Sequence, residues 1–322
     1  MDAIVTAGGI PNPEDPLYSF LKGDAKALVD VAGKPMIQWV LDALGDAKHV
    51  KNVIVIGLSP KNTLTCKKPL HYISNQGRML SNIVAGVKRS LELDKKSKYV
   101  LIVSSDIPAL KAHMVDWLVE ESMQTKDDLY YGVCAREVME KRFPESKRTY
   151  TKLKDMHVCG SDINVAHVRM ATEHLDMWEQ LIGNRKSPLK QAGIIGFGTA
   201  FSLLTGGLTL EDAVTRVSQR IGIKARAIQW QYAEPCMDVD KPHQLEILRA
   251  DLAKAQRNPA RLAERFQRNE RGKASAKPKT AAKKMKKTTA ATMKKKSGAV
   301  KKVAALKVAR TKFKPKATPR RR

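Results

Sequence analysis

A three-layer α/β fold with a mixed, mostly parallel sheet is what this sequence predicts, and three observations carry the prediction. Apolar runs of strand length alternate with segments of helical periodicity, residues 99–103 (YVLIV) are apolar throughout, and a glycine-rich turn follows the first strand directly. A strand apolar on both sides belongs in the middle of a parallel sheet, where helices cover both faces.

Taken in order, Ala3, Ile4 and Val5 form a short buried strand. Ala7, Gly8 and Gly9 follow, where the absence of a bulky Cβ lets the backbone approach a ligand closely. The loop 10–23 contains Pro11, Pro13, Pro16 and Gly23, so it neither continues a helix nor joins a central strand. It is expected to fold over a bound molecule. Gly33 and Pro35 then open a helix whose Met36, Ile37, Val40, Leu41 and Leu44 share one face. Strand, glycine loop and helix together make a nucleotide pocket. Residues 52–57 and 70–74 read as further strands, and Leu80, Ile83, Val84, Val87 and Leu91 mark one face of the next helix.

After the central strand the segment 111–123 is amphipathic and 129–135 is a strand. Residues 136–148 are strongly charged and include Pro144, which predicts an excursion outside the core. Residues 150–158 and 162–167 are expected to pair as strands. Helical patterns follow over 173–182, 188–195 and 209–221, the last with Thr209 as N-cap and Asp212 three residues on. A weak strand at 224–228 and the run 236–240 lead into a helix from Lys241, with Leu245, Leu248 and Leu252 at helical spacing.

Charge divides the chain. Of the formal net charge of +27, residues 271–322 contribute +21 with no acidic residue among them. The remainder is close to an ordinary cytosolic enzyme. The organisation expected is one α/β domain over 1–255, a helical extension or linker over 256–270, and a disordered Lys/Ala/Pro-rich tail over 271–322, too poor in apolar surface to offset the entropy of ordering. Such a polycation neutralises the phosphates of DNA or RNA non-specifically. Phe313 is its only aromatic ring, so sequence-specific stacking is not expected. Cys66, Cys134, Cys159 and Cys236 form no C-x-x-C pair and read as reduced thiols. No apolar run reaches the length of a membrane span, and Asp2 stands where an export signal would be basic. A cytoplasmic location is expected, with nucleoid association following from the tail.

Asp106, in SSDIPAL, lies just past the most apolar strand, where ligands of open parallel sheets bind. A carboxylate there serves equally as an Mg²⁺ ligand or as a turn residue before proline. Asp240, in DVDKP, doubles as a helix N-cap. Lys26 and Lys34 are isolated lysines, and Lys34 lacks the glycine spacing of a Walker motif.

The AGG loop, Lys26 in KALVDVAGKP and the helix after it resemble the nucleotidyltransferases of GT-A-like, Rossmann-like fold. The branch they resemble most includes the molybdenum-cofactor and cobinamide-phosphate guanylyltransferases. Those proteins usually carry a G-x-G/S-x-R-M run after the first glycines. This chain has IPNPEDPLY instead, which leaves Lys22 and Lys26 as the nearby cations. The resemblance implies Lys26 and Asp106 as catalytic residues and Ala7, Gly8, Gly9, Lys26, Gln76 and Gly77 as nucleotide-binding residues. It further implies Asn164, in GSDIN, at the acceptor, and Asp106 with Asp240 as the Mg²⁺ ligands, Asp240 being preferred to Asp238. Helix capping by Asn75 accounts for part of the NQGRMLSN text as well. The activity implied is transfer of a nucleoside monophosphate from a nucleoside triphosphate, GTP or CTP, to a phosphorylated small-molecule acceptor with release of pyrophosphate. A sugar-nucleotide glycosyltransferase of GT-A fold, or an inactive nucleoid-associated DNA-binding protein, are the alternatives.

Overall fold

The computed structural model describes residues 1–9, 12–21, 24–173, 175 and 188–257. The helix expected over 173–182, Lys22, Gly23 and the basic tail lie outside the described residues, apart from 173 and 175 of that helix.

The first half alternates as its periodicity requires. β1 (Asp2–Thr6) leads through α1 (Tyr18–Leu21) and a 3₁₀ turn at Lys26–Leu28 to the small ribbon of β2 (Asp30–Val31) and β3 (Lys34–Pro35). Then come α2 (Met36–Asp46), β4 (Val53–Ile56), β5 (Leu70–Ile73), α3 (Met79–Leu93), β6 (Tyr99–Ser104) and α4 (Ala112–Ser122). The second half holds β7 (Leu129–Ala135), α5 (Arg136–Arg142), β8 (Thr151–Lys152), β9 (His157–Gly160) and β10 (Ile163–His167). After it follow α6 (Pro188–Ile195), α7 (Phe197–Leu204), α8 (Leu210–Ile221), β11 (Ala225–Trp230) and α9 (Pro242–Arg257).

Among the described residues the main sheet runs β5-β4-β1-β6-β10-β7-β9-β8, with β11 also on β7. β5, β4, β1 and β6 are mutually parallel, β10 is antiparallel to β6 and β7, and β11 is parallel to β7. The sheet is therefore mixed and mostly parallel. Val100, Leu101 and Val103 of β6 are fully buried, as a central strand demands.

α3 covers one face. Its Ile83 and Val87 pack with Ile4, Ile54, Ile56 and Val100. Gly86 permits the approach, because a Cβ there would lie 2.5 Å from the Ile4 side chain. Asp2 ties the same helix down, accepting from Ser90 Oγ at 2.7 Å and Asn52 Nδ2 at 2.9 Å. α9 buries Leu245, Leu248 and Leu252 as its spacing predicts. At α8 the Thr209 side chain accepts from Asp212 N at 3.1 Å, the expected N-cap.

Three expectations need correction. Residues 136–148 are not an excursion: α5 buries Met139, Phe143 follows it into the core, and Arg142 is neutralised by Glu234 and by a bidentate pair with Asp251. Paired charge lets a charged helix pack inward. The strands around 150–158 and 162–167 do not pair with each other. β9 pairs with the short β8 and, end to end with β10, runs along one edge of β7. From Gly160 to Val165 that edge carries two more residues than β7 offers across from Val133 to Tyr130, so it bulges at Ser161 and Asp162. Finally, α3 is capped by Arg78 backbone and not by Asn75.

Candidate active site

The carboxyl ends of β1, β4 and β6 meet where the site is built. Thr6 pairs with Ile56 and Ser104, and Ser105 N donates to Thr6 O at 3.2 Å, which sets Ala7 and Gly8 between the strand ends that carry Gly57 and Asp106. Gly57, at φ +102°, lies so close to the Gly8 backbone that a Cβ would collide with it. Asn75 closes the loop: its Nδ2 donates to Gly8 O at 2.8 Å and its Oδ1 accepts from Gly77 N at 2.9 Å. Buried Asn82 supports this turn by accepting from Gln76 N at 2.7 Å. The expected nucleotide residues Gly8, Gln76 and Gly77 are thus gathered by Asn75. A hollow of about 450 Å³ beside them is lined by Gly57, Leu58, Ser59, Tyr72, Ser74 and Asn75.

Lys26, Asp106 and Asp240 come together although 214 positions separate the first from the last. Lys26 Nζ donates to Asp106 Oδ2 at 2.9 Å and to Asp240 Oδ1 at 2.7 Å. Two local devices hold the acids. Ser104 Oγ donates to Asp106 Oδ1 at 2.5 Å, and Val239 N donates to Asp106 O at 3.0 Å, laying the DVDKP run beside the end of β6. Gln244, one turn into α9, accepts from the Asp240 and Lys241 backbone N–H groups through Oε1, both at 2.9 Å. Asp240 therefore does not cap the helix with its own side chain; its carboxylate is left for Lys26. Burial works against the charge on Lys26, but Asp106 and then Asp240 outweigh it and raise its pKa above that of a free lysine. Burial raises the Asp240 pKa, yet the Lys26 cation more than offsets this and the carboxyl sits below its ordinary range.

The other candidates are placed differently. Asp238 is held by Arg148 in a close ion pair. Lys34 pairs with Asp42 Oδ2 at 2.8 Å and lies over the Trp39 ring. Asn164 braces the bulge between β9 and β10, accepting from Gly132 N at 2.9 Å and donating to Ser161 O at 3.2 Å.

Two residues join the cluster that the sequence did not single out. Asp162, on the bulge, has its backbone fixed by Ser104 N and Pro235 O, and its Oδ2 lies 3.9 Å from Arg148 Nη2 without a hydrogen bond among the described residues. Burial and the Asp106 carboxylate raise its pKa to about 7. The GSDIN run already drew attention to Asn164, two residues on. Arg148 stands in a charged stretch and had no signal of its own.

Among the described residues no three His, Cys, Asp or Glu side chains are grouped to hold a metal. The donor set does fit a hard divalent cation that uses one or two carboxylates and completes its shell with water and substrate phosphate: Asp106 and Asp240 offer only oxygen, converge within reach of one ammonium, and Asp240 is 58% exposed. Asp106 and Asp240 are the residues that would hold it.

A family match, on this mixed and mostly parallel sheet, makes the chain a nucleotidyltransferase. The MobA-like NTP transferase domain matches residues 19–188, more than half of the chain, and the chain belongs to that family. The match begins past the glycine loop and ends before DVDKP. A hypothetical transferase from Thermus thermophilus is similar in structure at a TM-score of 0.67 and 28% identity, over 76% of this chain and 98% of that one. CMP:2-keto-3-deoxy-manno-octonic acid synthetase complexed with CTP shares the fold at a TM-score of 0.51 and 15% identity, over 79% of this chain and 99% of that one. Comparison with curated proteins finds no match. No helix among the described residues is long and apolar enough to cross a membrane.

A native carboxyl raised from the unfolded value near 4 to about 7 holds a proton that the unfolded chain has lost, so it lowers stability as pH rises through that window. Asp162→Asn in metal-free buffer is expected to gain stability relative to the parent between about pH 4 and 7 and to keep a constant advantage above it. Urea unfolding across that range measures the difference, and a pH-independent difference would contradict the assignment.

Proposed function

We propose that this nucleotidyltransferase moves a nucleoside monophosphate from a nucleoside triphosphate to a phosphorylated small-molecule acceptor and releases pyrophosphate, with Mg²⁺ as cofactor. The observation that carries this is the Lys26 ammonium held between Asp106 and Asp240 beside the Gly8 loop. Ala7, Gly8 and Gly9 present backbone to the triphosphate, and the hollow next to Asn75, Gln76 and Gly77 takes the base. Mg²⁺, when bound by Asp106 and Asp240, supplies charge neutralisation and alignment of the phosphates.

The acceptor phosphate is ionised at neutral pH and attacks the α-phosphorus without a general base. Lys26 stays protonated because the two acids hold it so, and its fixed positive charge meets the negative charge that builds on the transferred group. Asn164 acts from the acceptor side by fixing the bulge that carries Asp162. The family match favours this chemistry over sugar transfer by a glycosyltransferase. The basic tail adds a separate capacity, non-specific retention on DNA or RNA.

Lys26→Met is expected to lower kcat for pyrophosphate release by about 10²–10³-fold, the usual loss for one preorganised charge-stabilising group, while the triphosphate still raises the thermal midpoint. A variant with undiminished turnover would contradict the role. Deleting residues 271–322 is expected to leave turnover intact and abolish salt-sensitive retention on immobilised DNA; retention unchanged by the deletion would contradict the role of the tail.

A further inference from the structure

A cavity of about 620 Å³ lies on the α3 side of the sheet, between α8 and the strands β7, β9 and β11. Its floor alternates correctly for one face, with Leu129, Tyr131 and Val133 on β7 and Ala225 and Ala227 on β11. Its roof is the apolar side of α8, including Ala213, Val214 and Val217. The space exists because small side chains meet there: Gly160, Ala213, Ala225 and Ala227 leave room that larger residues would fill. Among the described residues polar lining is sparse: Thr151, Ser218, Arg226 and the Tyr131 hydroxyl.

One end of this cavity points to the chemistry. The Tyr131 hydroxyl rests against Gly160, two residues before Asp162. Asp162 in turn faces Arg148 and stands on the bulge whose backbone carbonyl accepts from Ser104 N, beside Asp106. Met79, at the start of α3 just past Gly77, borders the same cavity on the nucleotide side. Tyr131 and Met79, both of which line it, are each 44% exposed. Its volume is that of a pocket for one small ligand, and its chemistry is that of a hydrocarbon.

We propose that the cavity holds a single hydrocarbon chain carried by the acceptor, so that the acceptor is an alkyl phosphate monoester. This rests on the transfer reaction proposed above. A phosphate oxygen of the alkyl phosphate forms the new bond to the α-phosphorus, the bond from that phosphorus to the bridging oxygen breaks, and pyrophosphate leaves with the electron pair. The product is a nucleoside diphosphate esterified with the chain, and no oxidant or proton donor is required. Apolar burial draws the chain under α8, and the phosphate is left at the Tyr131 end, facing Arg148 and Lys26.

The test uses the full chain with Mg²⁺, each of the four triphosphates, and ethyl, hexyl and decyl phosphate as acceptors. KM is expected to fall about fourfold per added methylene until the cavity is full, with kcat little changed. Decyl phosphate alone is expected to raise the thermal midpoint, and decanol much less. Ala227→Phe and, independently, Ala213→Leu fill the cavity from floor and roof. Each is expected to erase the chain-length dependence while the triphosphate still raises the midpoint. Equal KM for ethyl and decyl phosphate, with triphosphate-dependent pyrophosphate release intact and lost in Lys26→Met, overturns the hydrocarbon site and leaves the transfer reaction standing. Decyl phosphate binding that both filling variants abolish, without pyrophosphate release from any triphosphate, overturns the transfer reaction and leaves the site. Decanol binding as tightly as decyl phosphate overturns the orientation proposed for the phosphate. If both filling variants fail to fold, the chain-length series on the parent protein decides.

Discussion

The structure turns on one ammonium group held by two carboxylates. Lys26 enters from the segment after the proline-rich loop, Asp106 from the end of β6 and Asp240 from the run before α9. Three parts of the chain are thereby fixed to one point. Two like charges brought this close repel unless a cation lies between them. The Lys26 ammonium fills that need within the protein, and its charge is maintained by the same acids that it neutralises. Asp106 and Asp240 are the residues that would hold a divalent cation, which would supply further charge neutralisation to bound phosphates. The site is therefore preorganised in charge, and the parallel sheet supplies its geometry.

That sheet also explains why the functional residues lie on loops. β4, β1 and β6 run in parallel, so their carboxyl ends, with Gly57, Gly8 and Asp106, fall in one row. Asn75 spans from this row to Gly77 by two hydrogen bonds. On the other side the two-residue bulge between β9 and β10 displaces Asp162 toward the same row, and Asn164 secures it. The second half of the sheet thus contributes side chains without continuing the parallel order.

The strand and helix pattern of the first half was legible because its signals are local. Buried parallel strands are continuous apolar runs, and α2, α3 and α4 show clean periodicity. The convergence of Asp106 and Asp240 could be expected from motif resemblance, since no local rule links residues so far apart in sequence. What was not legible depends on tertiary pairing. α5 read as an excursion because its charges are visible in sequence and their partners, Glu234 and Asp251, are remote. Likewise, β9 and β10 look like a hairpin until β7 is seen to pair with both. Asp162 and Arg148 gain their place from that bulge and from an ion-pair network, neither of which leaves a periodic trace. Asn75 looked like a cap from its position before a helix, yet its side chain serves the glycine loop.

On the proposed reading Asp106 and Asp240 form one cation site completed by the triphosphate. Electron paramagnetic resonance of Mn²⁺, titrated into the protein with a triphosphate analogue whose α–β bridge cannot be cleaved, tests it most directly. One tightly bound Mn²⁺ per chain is expected, dependent on the analogue and lost in both Asp106→Asn and Asp240→Asn. Undiminished binding in both variants, measured while the analogue itself still binds, would contradict it.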